Sequence, residues 1–133
     1  MAELEFIQPA GLTRPPMYSH VGVARGGKTI FVSGQVPHDA DGNLVGAGDF
    51  RAQAVQVYEN LKIALTAAGA SFADVVKQTT YIVNYQPEHR AIIAEVRLQY
   101  VSRERPPTST LIGVQALAMP GMMVEVEVIA VVD

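Results

Sequence analysis

Hydrophobic residues recur every three or four positions between residues 49 and 68, and this spacing predicts an amphipathic helix. Asp49 is a suitable N-cap for that helix, and Gly69 is a suitable residue just beyond its C-terminal end. One face of the helix must therefore pack against another layer. The apolar positions that form this face are Phe50, Ala54, Val57, Leu61, Ala64, Leu65 and Ala68.

A second helix is predicted to begin at Gln86-Pro87, because proline suits the first helical turn. Two consecutive prolines, Pro106 and Pro107, end it, since proline holds the preceding residue in extended geometry. Its apolar stripe consists of Ile92, Val96 and Tyr100, with Ile93 and Val101 alongside.

Period-two alternation and β-branched residues predict the strands. In SHVGVARGGKTIFVSG, two apolar runs flank Gly26-Gly27, which predicts a hairpin with a tight turn. Further strands are predicted in DVVKQTTYIVN, TLIGVQAL and MVEVEVIAVV, and a short one at Leu4–Ile7. The order β-β-α-β-α-β-β predicts a single α+β domain over residues 1–133, with one mixed sheet and both helices on one face.

The last strand has two different faces, because side chains alternate along a strand. One face is wholly apolar and suits the helices: Val124, Val126, Val128, Ala130 and Val132. The other carries Met123, Glu125, Glu127, Ile129 and Val131. Two helices cannot cover both faces of a sheet, so we expect a second subunit to cover the open face.

Two interpretations of Glu125 and Glu127 follow. Near a subunit interface, a carboxylate removed from water has a partner, a raised pKa or a function. At a solvated rim, the two residues would instead pair with lysine or arginine. Alternation alone leaves both interpretations open.

Composition narrows the possible functions. The net charge of −3 argues against nucleic acid as a partner. The absence of cysteine excludes thiol chemistry and fits the reducing cytoplasm. No apolar run approaches the roughly 20 residues of a membrane helix. We also expect no signal peptide, because no N-terminal segment has a basic start followed by a long apolar run. We expect no metal site, because His20, His38 and His89 lie in separate segments.

The segment FVSGQVPHDADG carries a candidate binding site. A strand ends at Ser33-Gly34-Gln35, and Gly34 leaves backbone groups accessible there. The segment is either a pocket where the backbone meets a ligand or a plain strand terminus or bulge.

Several segments together resemble the RidA/YjgF family, the reactive intermediate deaminases. They are SGQVPHDADGNLVG, NLKIALTAAGASFADVVKQTTYIV, GVQAL and VEVEVIAVV, in this order, and the resemblance extends from Tyr18 to Val131. It implies a chorismate-mutase-like fold and a homotrimer with a central barrel and intersubunit clefts. It also implies hydrolysis of 2-imino or enamine acids without metal or cofactor.

The resemblance assigns roles to individual residues. Tyr18 matches the tyrosine that lines the family's cleft, and Gly34, with Ser33 beside it, matches the glycine that approaches the ligand. Glu125 matches the glutamate near the reacting water. Together with Tyr18 it is the expected catalytic group.

The stretch RPPTSTLIGV departs from the family pattern. Ser109 stands where the family has an arginine that binds the substrate carboxylate as a two-point fork. Three explanations are open: the substrate lacks that carboxylate, another residue binds it, or deaminase activity is absent. We expect Ser109, Thr110 and Leu111 to line the ligand site. The three hydroxyls of Thr108, Ser109 and Thr110 would suit a more neutral polar ligand. Strand propensity alone would also explain these hydroxyls.

Two functions are consistent with these residues. The first is a hydrolytic imine or enamine deaminase with a shifted substrate preference. The second is a non-catalytic trimer that binds a small metabolite. An endoribonuclease, a third function associated with this family by name, fits poorly with an acidic chain that has no basic stripe.

Overall fold

The computed structural model describes residues 2–133, which form an α+β domain. The strands are β1 (Glu3–Ile7), β2 (Val21–Arg25), β3 (Lys28–Gln35), β4 (Val75–Val83), β5 (Thr108–Val114) and β6 (Val124–Val132). The helices are α1 (Phe50–Ala67) and α2 (Pro87–Arg97), with a short 3-10 turn at Phe72–Asp74.

Both helices lie where the sequence predicts them. The Asp49 carboxylate caps α1 by accepting a 3.0 Å hydrogen bond from the Ala52 amide. Gly69 follows α1 with a φ of 77°, which only glycine adopts without strain. Pro87 occupies the first turn of α2, as expected. That helix ends at Arg97, earlier than its apolar stripe suggested, and Tyr100 follows it in a turn.

The main sheet has four strands in the order β3-β6-β4-β5. It is mixed, because β4 and β5 run parallel while β6 is antiparallel to both β3 and β4. The core lies between this sheet and the two helices. The predicted helix-facing side of the last strand is confirmed, with Val124, Val126, Val128 and Ala130 all buried in this core.

The predicted hairpin at Gly26-Gly27 is wrong. β2 pairs with β1 in a separate two-stranded ribbon rather than with β3. Neither glycine adopts the positive φ of a tight hairpin turn. Gly26 is needed for close packing instead, since a Cβ there would lie 2.8 Å from both Val131 Cγ1 and the Val132 carbonyl oxygen.

The face of the main sheet opposite the helices, here called the open face, is covered only in part by this ribbon. Val131 is buried beneath the segment at Gly26, so the chain itself covers one end of the face. Elsewhere Phe31 remains 75% exposed opposite its strand partner Ile129. An apolar patch is therefore left for another molecule to cover.

No helix within residues 2–133 is long and apolar enough to cross a membrane.

Candidate functional site

The structure places Glu125 directly against Gly34. The pairing of β3 with β6 shifts register between Val32 and Gln35, which makes Ser33-Gly34 a bulge. A Cβ on Gly34 would lie 1.8 Å from Oε2 of Glu125, so only glycine leaves room for the carboxylate. The bulge interpretation is thus correct, and the bulge also brings main chain and carboxylate together.

Burial raises the pKa of the Glu125 carboxyl, and the nearby charge of Glu127 raises it further. Glu127 accepts a 2.5 Å hydrogen bond from the Tyr81 hydroxyl. That hydrogen bond is the main reason why the pKa of Tyr81 is also raised. Neither glutamate forms an ion pair with lysine or arginine within residues 2–133, and both are half-buried.

Ser33 lies beside Gly34 but is exposed. Its carbonyl oxygen accepts a 3.0 Å hydrogen bond from the side-chain amide of Gln35. Ser33, Gly34 and Glu125 form what we call the Glu125 half-site, at the β3 end of the sheet order.

The three hydroxyls of the stretch RPPTSTLIGV do not form one cluster. Ser109 pairs in register with Gln78, and Thr110 pairs with Thr79, so their side chains leave β5 on opposite faces. Thr110 accepts a 2.5 Å hydrogen bond from the Lys77 ammonium on the open face. The expectation of a shared hydroxyl set is therefore wrong, because alternation along β5 separates Ser109 from its neighbours.

Tyr18 is held near the beginning of β5 by backbone contacts of the adjacent residue. The Ser19 amide donates to the Pro107 carbonyl at 3.1 Å, and the Ser19 hydroxyl donates to the Pro106 carbonyl at 2.7 Å. The Tyr18 ring meets His20 edge-on, with 5.4 Å between ring centroids. We refer to Tyr18, Ser109 and Leu111 as the Ser109 half-site; Thr110, predicted to line the ligand site with them, lies on the opposite face of β5.

Two further residues contact the Ser109 half-site and were not predicted. Arg97 donates to the Ser109 hydroxyl at 3.5 Å and to the Met17 carbonyl at 2.5 Å. Gln78 donates to the same hydroxyl at 3.5 Å. The available signal for Arg97 was its position four residues after Ile93, which extends the apolar stripe of α2 into the core.

One copy of the chain does not bring the two half-sites together. β3 and β5 are the two edges of the four-stranded sheet, separated by β6 and β4. With strands about 4.8 Å apart, Gly34 on β3 lies roughly 14 Å from β5, and Glu125 on β6 lies roughly 10 Å from it. Each half-site therefore faces a different edge of the molecule.

The histidines take part in packing and hydrogen bonding. His89 stacks on Phe50 with 4.4 Å between ring centroids, and its Nδ1 accepts from the Gln86 amide at the beginning of α2. Residues 2–133 contain no group of three or more metal-ligating side chains.

A protein-family model described as Endoribonuclease L-PSP matches residues 12–132, nearly the whole chain. The chain belongs to this family, the RidA/YjgF/RutC family, as its segments suggested. Among solved structures, the Rid-family protein YyfB from Yersinia pestis superimposes with a TM-score of 0.88 and 38% identity, covering 96% of this chain and 98% of that one.

Relatives in the family include deaminases. The 3-aminoacrylate deaminase RutC of Acinetobacter baylyi is 33% identical over 102 residues, covering 77% of this chain and 79% of that protein. The 2-iminobutanoate/2-iminopropanoate deaminase of Dermatophagoides farinae is 32% identical over 107 residues, covering 80% of each.

Proposed function

We propose that this chain is a hydrolytic deaminase of small imines or enamines, with Glu125 and Tyr18 as catalytic groups. The observation that carries the proposal is the carboxyl of Glu125, held against Gly34 with its pKa raised. The deaminases among its relatives support the same reaction class. Because Ser109 replaces the family's two-point arginine, we propose a substrate preference shifted away from that of the archetypal 2-imino acids.

Imine hydrolysis requires one group that first takes a proton and then returns it. With the imine nitrogen protonated, ionised Glu125 accepts a proton from water as the water oxygen bonds to the C=N carbon and the C=N π electrons move to nitrogen, which gives a neutral carbinolamine. The carboxyl then donates that proton to the amine nitrogen. As the C–N bond breaks, the Glu125 carboxylate takes the hydroxyl proton of the carbinolamine, and a ketone and ammonia leave. A carboxyl with a raised pKa suits both steps near neutral pH.

We further propose that the reaction takes place in a cleft between two copies of a homotrimer. The two half-sites lie at opposite edges of one sheet, so the β5 edge of one copy must meet the β3 edge of the next to complete a site. The exposed Phe31 on the open face supports burial within such an assembly. In this arrangement Tyr18 and Ser109 of one copy face Glu125 of its neighbour.

We propose neither nucleic acid nor membrane as a partner. Ten lysines and arginines against thirteen acidic residues leave the chain acidic, which disfavours phosphate binding. The word endoribonuclease in the family description therefore does not carry over to this chain.

The reaction is tested by adding the protein to an amino-acid oxidase that releases 2-iminopropanoate, and in parallel to a neutral enamine. We expect faster ammonia release than in buffer, and about a 100-fold loss for Glu125→Gln. Glu88→Gln is the matched control, because Glu88 is exposed on α2. No acceleration over buffer for any substrate of a broad panel would refute the deaminase.

A second candidate is a non-catalytic trimer that binds a small metabolite. The replacement of the family's arginine by Ser109 favours it. It predicts ligand binding without turnover. If the chain hydrolyses an imine and Glu125→Gln abolishes that turnover, this second function is excluded.

A further inference from the structure

Among residues 2–133, Arg97 is a buried cation that no carboxylate pairs with. It lies at the end of α2 and is only 9% exposed. Burial lowers the pKa of its guanidinium, yet no ion pair with an acidic side chain reaches it within residues 2–133. An uncompensated buried charge is costly, and a bound anion would offset that cost.

The guanidinium is directed at the Ser109 half-site. One of its nitrogens donates to the Met17 carbonyl at 2.5 Å, next to Tyr18, and the other donates to the Ser109 hydroxyl at 3.5 Å. These contacts place the positive charge immediately behind the residue that replaces the family's arginine.

The hydroxyl group of Ser109 can act toward a ligand only as a hydrogen-bond donor. Its oxygen accepts from both Arg97 and Gln78, each at 3.5 Å, the long end of the hydrogen-bond range. Gln78 is fully buried, and its own side-chain oxygen faces the Tyr58 hydroxyl, which leaves its amide nitrogen toward Ser109. With both acceptor positions of the oxygen occupied, the hydroxyl proton must donate outward.

We propose that Ser109 donates this proton to a carboxylate of the ligand, with Arg97 supplying the positive charge behind it. The location of the ligand beside Ser109 rests on the proposed function. The anchor differs from a two-point guanidinium fork, because the contact is one hydroxyl and the charge acts from the next layer. Arg97 is thus a positioning residue that acts through Ser109. Of the three explanations for the missing arginine, the proposal favours the second, in which other residues bind the substrate carboxylate.

The test measures the binding of two stable probes by calorimetry, 2-oxobutanoate and the neutral 2-oxobutanamide. We expect the wild-type protein to prefer the acid about tenfold, because hydrogen bonds to charged groups are the stronger ones. Ser109→Ala weakens binding of both probes, since both present an acceptor oxygen. Arg97→Met removes the preference for the acid, whereas Arg97→Lys retains part of it.

Arg90→Met is the matched control, since Arg90 is an exposed arginine on the same helix. The variants are first compared with the wild-type protein by circular dichroism and sedimentation. If Arg97→Met does not fold, Arg97→Lys and Ser109→Ala still decide the question.

A double variant, Ser109→Arg with Arg97→Met, moves the charge from α2 to β5. We expect it to recover the preference for the acid that Arg97→Met loses. Ser109→Arg alone is a poorer test, because it would place two guanidinium groups against each other.

A folded Arg97→Met protein that keeps the full preference for the acid overturns the inference, and so does a wild-type protein that binds neither probe or binds both equally. The proposed function has separate outcomes. If the acid binds in an Arg97-dependent way but no imine is hydrolysed, the deaminase fails and the carboxylate anchor stands. If imines are hydrolysed with no preference for the acid probe, the anchor fails and the deaminase stands.

Discussion

The carboxylate of Glu125 occupies the space that a side chain on Gly34 would need. A Cβ on Gly34 would lie 1.8 Å from Oε2 and 2.7 Å from the carboxyl carbon. We expect Gly34→Ala to displace the carboxylate, lower imine hydrolysis at least about tenfold and destabilise the fold by about 1–3 kcal/mol. Steady-state kinetics and urea unfolding measure the two effects.

Gly27→Ala is the control for that variant. A Cβ on Gly27 would meet its nearest heavy atom, the carbonyl carbon of Asp133, at 3.7 Å, an ordinary contact. We expect this variant to keep both activity and stability. Equal activity in Gly34→Ala and Gly27→Ala would show that the contact between Gly34 and Glu125 has no role in the reaction.

We expect Glu125→Gln to lose activity but to gain stability at pH 7. Because burial raises the pKa of Glu125, the folded protein holds that proton more tightly than the unfolded chain does. The resulting stabilisation is present at low pH and is lost as the pH rises through the folded pKa. A glutamine at position 125 carries no charge at any pH, so it avoids the cost of burying the carboxylate. At pH 7 we therefore expect the variant to be more stable than the wild-type protein, by less than about 1 kcal/mol after solvent screening.

Urea unfolding of both proteins between pH 4 and pH 8 measures this difference. We expect it to shrink toward zero below about pH 4, where Glu125 is protonated in both states. The exposed control Glu88→Gln measures how much the exchange of a carboxylate for an amide changes stability by itself. A wild-type protein more stable than the Glu125→Gln variant at pH 7 would contradict a raised pKa.

Local periodicity was enough to predict the helices and the faces of β6. The repeat from Phe50 to Leu65 buries its apolar residues on one face only as a helix, and the alternation from Val124 to Ala130 does so only as a strand. The partner of β2 could not be predicted in this way. The pair Gly26-Gly27 is compatible with a tight turn. In the fold, Gly26 instead allows the chain to approach Val131 closely, and local sequence does not predict a contact between such distant segments.

The candidate site could be predicted only where a residue matched a family position. The match gave Gly34 and Glu125 separate roles, and the fold brings the two residues into contact. The position of Arg97 four residues after Ile93 indicates burial, but its contact with Ser109 joins α2 to β5, and no local pattern predicts that contact. Ser109 and Thr110 were grouped because they are adjacent in sequence, although a strand sends neighbouring side chains to opposite faces.

Gln53 is another buried polar residue that packing, not pattern, explains. It is fully buried in α1, where its amide nitrogen donates to the carbonyls of Gly46 and Gly121 at 3.1 and 2.9 Å. Its side-chain oxygen accepts from the Met123 amide at 2.7 Å. It thereby ties the loops before α1 and before β6 to the helix.

We expect Gln53→Leu to destabilise the fold by about 3 kcal/mol, because three backbone groups lose their partners. The midpoint of urea unfolding measures this loss. Gln99→Leu is the control, since Gln99 is exposed. A Gln53→Leu protein as stable as the Gln99→Leu protein would mean that water or other groups replace all three hydrogen bonds.

The proposed trimer makes a prediction for Phe31. Its ring is 75% exposed on the open face, beside Ile129 on the neighbouring strand. An aspartate at this position would bring a charge into an apolar interface, at a cost of several kcal/mol. We therefore expect Phe31→Asp to dissociate the trimer and to abolish imine hydrolysis, because each cleft needs residues from two copies. Analytical ultracentrifugation over a range of protein concentrations measures the dissociation.

Met119→Asp is the matched control, because Met119 is a 54% exposed methionine that lies in the loop before β6 rather than on a strand of the sheet. We expect this variant to sediment and react like the wild-type protein. A wild-type protein that sediments as a monomer would refute the trimer outright. A Phe31→Asp protein that remains trimeric would show that the copies meet through another surface. Active monomers of either protein would show that the Glu125 half-site works without the Ser109 half-site of a neighbour.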